Sequence, residues 1–449
     1  MEQFCICEGE DLMIPELAHD EIIKRKLAGE TWTAIAKWIE QEYGESVHRT
    51  TVQRWYDKEV SLENISPDEI ILDSVEDRIK MDKKVATHKA EANFYKKLYD
   101  RSLKGYTQTA LLTDIIQQSV PSFKKVEVFP KSKPEGRFKG ETPQAVVAPL
   151  SDTHIGEFVD IDQMNGLNSY DFDIFNNRLY GWANQVVSLV ELRRNAVPIP
   201  ELVVPMLGDM ISGDIHEELS HTNLANCMMQ MIRGANLIAQ ALLYMAPHFQ
   251  IVRVPCVVGN HGRMTRKPPM KDKYMDWDYL MYQWIAALCK NQNNIEFHIP
   301  KSFLTVFPVC NRNVLAMHGD AVSGAGSLAS VTKVITNLRS VLHFKKGLEN
   351  EVGDIPETIA ADFDSVMIGH FHRVDELDIG TGTAHICGCM KGADEFAMTR
   401  LQAVTKPQQI VTYWHPKYGY IGKEIIYLNN FDGQESKFID EIPEIWVNN

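Results

Sequence analysis

Five short apolar runs, each stopping at a residue of metal-ligand type, constrain this chain more than any other feature. Val146 to Leu150 leads into Ser151-Asp152-Thr153-His154, and Leu202 to Leu207 into Gly208-Asp209. Ile251 to Val258 leads into Gly259-Asn260-His261, and Val314 to Met317 into His318-Gly319-Asp320. Ser365 to Ile368 leads into Gly369-His370-Phe371-His372. Runs of this length read as buried strands. In extended chain, residues two apart point the same way, so Asp152 and His154 can reach one point past their strand. A carboxylate and an imidazole converging there suit Mn, Fe or Zn. Alone, Asp-x-His is a weak signal that reads more often as a surface loop or helix cap. Its recurrence changes that: five of the 15 histidines fall inside these motifs. Layered α/β folds place their sites at the ends of core strands, and the flanking glycines let backbone approach an ion or phosphate.

The 449 residues allow two or three domains and a large core. No apolar run approaches the ~18–20 residues of a membrane span. The acidic start lacks a basic-then-apolar signal, so the expectation is a cytoplasmic protein. Eight cysteines in a chain this long are no disulfide framework. Cys256, Cys310 and Cys387 read as small reduced core residues. Cys5-x-Cys7 and Cys387-Gly-Cys389 have no ready partner pair, so no zinc site is expected. The formal net charge of -14 argues against a nucleic-acid coat protein. It leaves a nuclease open, because cations can be segregated along one chain.

The ordered set D-x-H, G-D, G-N-H, H-G, G-H-x-H resembles the calcineurin-like metallophosphoesterases over roughly residues 145–430. The spacing and the segment Gly208-Asp209-Met210-Ile211-Ser212-Gly213 look most like phage and bacterial Mre11/SbcD-type nucleases. One departure is Gly262, where those nucleases usually carry Asp. The resemblance implies an α/β metallophosphoesterase fold, a four-layer α/β/β/α sandwich, behind an N-terminal all-helical domain. It implies two divalent ions, manganese first, with Fe, Zn or Mg as alternatives. Asp152, His154 and His372 resemble the ligands of one ion, and Asn260, His318 and His370 those of the other. Asp209 would bridge them. His261 resembles the family's non-ligand histidine, which stabilises the transition state or protonates the leaving oxygen. A phage origin is implied too, and with it the cytoplasm of a bacterial host.

The expected arrangement is a helix-turn-helix-like domain over 1–62, a helical basic connector and linker over 63–140, and the metallophosphoesterase domain over 141–449. In the first part, Asp20 reads as the cap of a helix from Glu21 to Ala28, ended by Gly29. Thr31 or Thr33 caps a second helix, whose face is Trp32, Ile35, Ala36 and Ile39, and Gly44 closes it. A third runs from about Arg49 to Lys58 with Val52 and Trp55 inward. Its outward residues Arg49, Thr50, Gln53 and Arg54 could meet DNA phosphates or base edges. The bland alternative is a small trihelical docking unit. From Arg78 to Pro134 there are thirteen Lys and Arg against five Asp and Glu. That basic stretch, with Phe94, Tyr95, Tyr99 and Tyr106, could track a nucleic-acid backbone or make a homo-oligomer.

Within the catalytic part, Pro149, Pro205 and Pro255 predict loose strand pairing. Asn223 to Met245 reads as a covering helix, and Arg263 to Lys273 as a basic loop at the lip of the site. Asp214, His216, Glu217 and His221 read as groups behind the ligands, substrate contacts or a polar lid. Everything after His372, including Ile410 to Trp414, reads as a second sheet, and the tail from Asn429 as a loose acidic end. The leading function is a metal-dependent DNA nuclease using a metal-activated hydroxide. The alternative is a phosphatase or phosphodiesterase for small nucleotides or phosphoproteins, and the third a non-catalytic DNA-binding protein.

Overall fold

A computed structural model describes residues 18–27, 29–44, 47–62, 110–127, 142–322, 326–352, 362–401 and 404–440. The Cys5-Cys7 pair, most of the basic connector with its aromatics, the linker at 128–141, residues 323–325 and the last nine residues lie outside that description. The chain divides into two compact units, residues 1–101 and 102–449.

In the first unit, α1 (His19–Leu27), α2 (Trp32–Tyr43) and α3 (Arg49–Leu62) enclose one small core. Ala18, Ile22, Ile35, Ala36, Ile39, Val52 and Trp55 form it, with Trp32 partly buried against them. Thr31 accepts from the Ala34 N–H and caps α2. Gly44 ends it with φ of 74°, a conformation that favours glycine. Asp20 lies inside α1, which starts one residue earlier, so it does not cap that helix.

The second unit is α/β with two sheets. The first has strand order β11-β10-β1-β2-β3-β4 and the second β5-β6-β7-β9-β8. In chain order a helix at 110–119 (α4) precedes β1 (Ala145–Val147), α5 (Phe172–Arg194), β2 (Glu201–Val203), α6 (Leu219–Thr222), α7 (Cys227–Met245) and β3 (Ile251–Pro255). Then come α8 (Trp277–Cys289), β4 (Ile295–His298), β5 (Leu304–Val309), β6 (Arg312–Met317) and α9 (Leu328–Val352). β7 (Ser365–Ile368), β8 (Asp375–Asp378), β9 (Thr383–Ile386), β10 (Gln408–His415) and β11 (Gly419–Tyr427) complete it.

Strand alternation sorts the core into three slabs. Val146, Leu202 and Val254 face α5, α7 and α8 in one cluster. Ala145, Val147 and Val203 face Val314, Ala316, Met367 and Cys387 between the sheets. Leu315, Met317, Val366 and Ile368 face Val331 and Ile335 of α9. Three slabs make four layers, helix, sheet, sheet and helix. Core strands are therefore apolar on both faces, which is why they read as continuous runs.

Two expectations need correction. Ile410 to Trp414 lies in β10, which pairs antiparallel with β1 in the first sheet, not the second. The tail is also not loose as far as Asp440. Asp432 takes two hydrogen bonds from the buried Arg178 of α5, Arg233 of α7 pairs with Asp440, and Phe438 is buried. Covering α5 and α7 removes apolar surface from water, so an acidic stretch can still pack. No described helix is long and apolar enough to cross a membrane.

Candidate metal centre

The three prolines act where expected. Regular pairing of β1 and β2 stops at Val147 and Val203, and Pro255 is the last residue of β3. Beyond them only single bridges remain, Leu150 with Met206, Ile155 with Ile211 and Met206 with Cys256. The loosened backbones are then tied crosswise. Asp152 N–H donates to Gly208 O at 3.1 Å and His154 N–H to Asp209 O at 3.0 Å. Freed from the pleat, the chain turns sharply. Asp152 (φ 51°), His154 (45°), Asp209 (51°), His370 (70°) and His372 (52°) all take the left-handed conformation. Such residues cost roughly 1–2 kcal/mol each and collect at functional sites. The close approach also needs glycine: a Cβ on Gly259 would sit 2.1 Å from Asp209 Oδ1.

All eight residues expected at the centre come together. Asp152, His154 and His372 form one group of potential ligand atoms within 4.8 Å of one another, and Asp209, His318 and His370 form another. His154, Asp209 and His261 form a third. The third group links the other two, sharing His154 with one and Asp209 with the other. Its Oδ1 accepts from the N–H groups of Asn260 and His261, at 2.7 Å each, and its Oδ2 lies 3.0 Å from His318 Nε2. Asn260 Oδ1 is 3.1 Å from the same nitrogen. His370 N–H donates to Asp152, and His372 Nε2 lies 3.3 Å from Asp152 Oδ1.

Backbone carbonyls choose the tautomers of two rings. Leu207 O is 2.8 Å from His318 Nδ1, and Ser212 O is 2.8 Å from His261 Nδ1. A carbonyl only accepts, so both Nδ1 atoms carry protons and each Nε2 faces inward. Burial alone would raise the Asp209 carboxyl, but His318, His261 and His154 outweigh it and hold Asp209 well below the usual carboxylate range. Burial pulls His318 down, yet Asp209 and Asp152 lift it to about 10. Burial and then His318 push His370 down to about 4. Burial, with Lys391 next, pushes His154 well down. The protein alone thus balances its buried carboxylates with a proton on His318.

A cation also fits this donor set. His154 Nε2 and His372 Nε2 face each other at 3.1 Å, and His318 Nε2 and His370 Nδ1 at 3.2 Å, each pair within reach of one N–H···N hydrogen bond or of one shared ion. For ligands about 2.1 Å from an ion, neighbouring donors are separated by about 3.0 Å in an octahedron and about 3.4 Å in a tetrahedron. The observed spacings are those edges. Oxygen and nitrogen donors without Cys suit a divalent ion of the manganese-to-zinc kind.

The remaining expectations separate. Asp214, His216, Glu217 and His221 are exposed, and none joins the three groups. The ring of His216 stands 5.9 Å from that of His261. The basic loop is real but partly self-occupied: Arg263 donates to Asn260 O, Thr265 O and Arg266 O, and Lys273 pairs with Asp320. Arg266, Lys267 and Lys271 are exposed. Arg49, Thr50, Gln53 and Arg54 are exposed on α3 of the other unit. The helix expected from Asn223 starts at Cys227, capped by Asn226. The six described cysteines are free.

Sequence reasoning missed three buried acids and one buried lysine. A Cβ on Gly262 would meet Asp276 Oδ1 at 2.1 Å. The space beside this glycine is filled from the start of α8. Asp278 accepts from Met210 N–H and Gly259 N–H and so ties two ligand loops together. Burial and then Asp209 push Asp278 up to about 7. Glu157 and Lys391 lie behind His154. A Glu three residues past Asp-x-His and a Lys beside a glycine carry no signal of their own.

No family model matches the sequence. A curated relative, the SPbeta prophage-derived uncharacterized protein YonJ of Bacillus subtilis (strain 168), is 22% identical over 386 residues, 82% of this chain and 84% of its own. Zinc-complexed Vps29 from Entamoeba histolytica overlaps 63% of this chain and 99% of its own at 12% identity and a TM-score of 0.24. A predicted phosphoesterase from Streptococcus pneumoniae TIGR4 overlaps 64% and 91% at 10% identity and 0.26. An archaeal phosphodiesterase overlaps 63% and 99% at 8% identity and 0.26. Overlaps this loose carry no functional argument.

Proposed function

We propose that this chain is a dinuclear-metal-dependent phosphodiesterase whose substrate is DNA. The observation that carries the reading is the meeting of Asp152, His154, Asp209, His318, His370 and His372 in adjoining groups, with Asn260 and His261 beside them. Asp152, His154 and His372 would hold one ion and Asn260, His318 and His370 the other, with Asp209 between. Two such ions, when bound, supply hydroxide near neutral pH and offset charge building on the phosphate. The chain does the rest. Ser212 O fixes the His261 ring with its proton on Nδ1, so Nε2, after taking a proton from water, can hand that proton to the departing oxygen. Asn260 and His261 N–H groups hold Asp209 in register. Arg266, Lys267 and Lys271, on a loop five to ten residues past His261, can meet phosphates neighbouring the scissile one. A polymer offers those phosphates and a small diester does not.

The second reading, a phosphatase or small-nucleotide diesterase, is favoured by Gly262 and by the net charge of -14. One assay separates the two. With Mn2+ present, single-stranded DNA, duplex DNA and a chromogenic diester are offered in parallel, with and without chelator. Chelator-sensitive DNA degradation is expected. Turnover of the small diester beside intact DNA would select the second reading, and duplex binding without hydrolysis in any metal would end both.

A further inference from the structure

Behind the centre lies a set of buried charges that hydrolysis as read above leaves idle. Lys391, between β9 and β10, is only 3% exposed, and Glu157 only 5%. Lys391 Nζ lies 2.7 Å from Glu157 Oε1 and 2.5 Å from Asp394 Oδ2. Its backbone is held too. Arg178 donates to the carbonyls of Met390 and Lys391, and Met390 N–H donates to Asp152 O. Stripping water from such groups costs several kcal/mol apiece, so their arrangement calls for a reason.

The reason lies on the far side of Glu157. Its Oε2 is turned away from Lys391, standing 3.3 Å from Ser212 Oγ and 3.5 Å from His154 Nδ1. That nitrogen is buried and has no hydrogen-bond partner. The other nitrogen of the ring, Nε2, is turned toward His372. A ring that gives its Nε2 lone pair to a cation keeps its proton on Nδ1, and the proton needs an acceptor. Glu157 Oε2 is placed to be it. Neutralising Lys391 does not require Glu157, because Asp394 already does so.

We propose that Glu157, anchored by Lys391, is the positioning residue for His154. It accepts the Nδ1 proton and aims Nε2 into the centre. The proposal rests on the metal reading of the site.

The test is calorimetric Mn2+ binding to the full chain, alongside thermal unfolding. Glu157→Leu removes the acceptor at similar volume and leaves Lys391 paired with Asp394. One of two Mn2+ sites is expected to weaken about 10–100-fold while the other is kept and Tm stays within a few degrees. Glu157→Gln, which restores a neutral acceptor, should recover part of the loss. Wild-type affinity at both sites in the Leu variant overturns the proposal. So does equal weakening of both sites with a collapsed Tm, which would make the charges a matter of folding alone. A wild-type chain that takes up no divalent ion overturns the hydrolase reading and this proposal together. The wild-type titration therefore tells the two failures apart.

Discussion

In the N-terminal helices the backbone does what local chemistry prefers, whereas at the edge of the sandwich it does the opposite. Thr31 caps α2 and a glycine, Gly44, takes the left-handed turn after it. In the sandwich the left-handed residues include Asp152, His154, Asp209, His370 and His372, two of which are followed or preceded by glycines that could have served. Helix caps stabilise by about 1 kcal/mol, while left-handed non-glycine residues cost about as much. A fold keeps such conformations only where the surrounding structure imposes them. Strain therefore marks the sandwich edge as a place of chemistry. Among its described residues the helical unit carries no such mark.

The strongest way to break this contrast is Asp209→Ala. It removes the acceptor for two N–H groups and the anion between the two ligand groups. DNA hydrolysis should fall below detection, and calorimetry should show Mn2+ binding lost at both positions. Retained turnover would mean that the strained edge serves only packing. His261→Ala comes next. It removes no member of the two flanking ligand groups, so both ions should still bind while kcat falls by about 10²–10⁴. An unchanged kcat would take the proton from His261 and leave the ion pair standing.

Departure from local preference does not always signify function, and His385 sharpens the point. Both of its ring nitrogens are buried without partners, between Trp414 and Tyr420 and away from the centre. Glu376, its neighbour at 4.0 Å, is already held by Lys423 and Tyr420. Burial pushes the imidazole down to about 4. An unfolded histidine titrates near 6.5. As pH falls below that value the unfolded chain takes the proton first, so stability is full above about 6.5 and is lost progressively toward 4. The loss amounts to roughly 3 kcal/mol. His385→Leu should remove that share of the acid limb, read as the difference between urea melts of the two proteins across this range. Parallel pH profiles would show that the ring finds a partner. Activity at pH 7 should not change.

What could be read in the sequence follows from the same contrast. The ligands were legible because each ends an apolar run, and the run is apolar because its strand is covered on both faces. The caps of α2 were legible because Thr31 and Gly44 act within four residues of where they stand. Glu157, Lys391 and Asp278 were not, since nothing local distinguishes a buried acid from a solvated one. Arg178 sits within α5, and the partners that meet its buried guanidinium include Asp432, from 254 residues later, and the carbonyls of Met390 and Lys391. The place of β10 was misread for a similar reason. Strand partners are chosen by sheet closure, and β10 alone offers the antiparallel edge on which β1 pairs.

The smallest structural effect, and the sharpest test of the helical unit, is Arg49→Ala/Arg54→Ala. Both side chains are exposed on α3, so stability should change by less than about 0.5 kcal/mol. If α3 meets phosphates, each lost contact removes about one counterion from binding. The slope of log K against log salt for duplex DNA should then fall by about 2 for the pair. Hydrolysis of a short single strand, which needs only the sandwich, should be unaffected. An unchanged slope would remove α3 from the DNA path and leave Arg266, Lys267 and Lys271 as the cations that meet the polymer. Asp209→Ala would still abolish turnover in that case, because Asp209 belongs to the other unit and lies among the expected ion ligands.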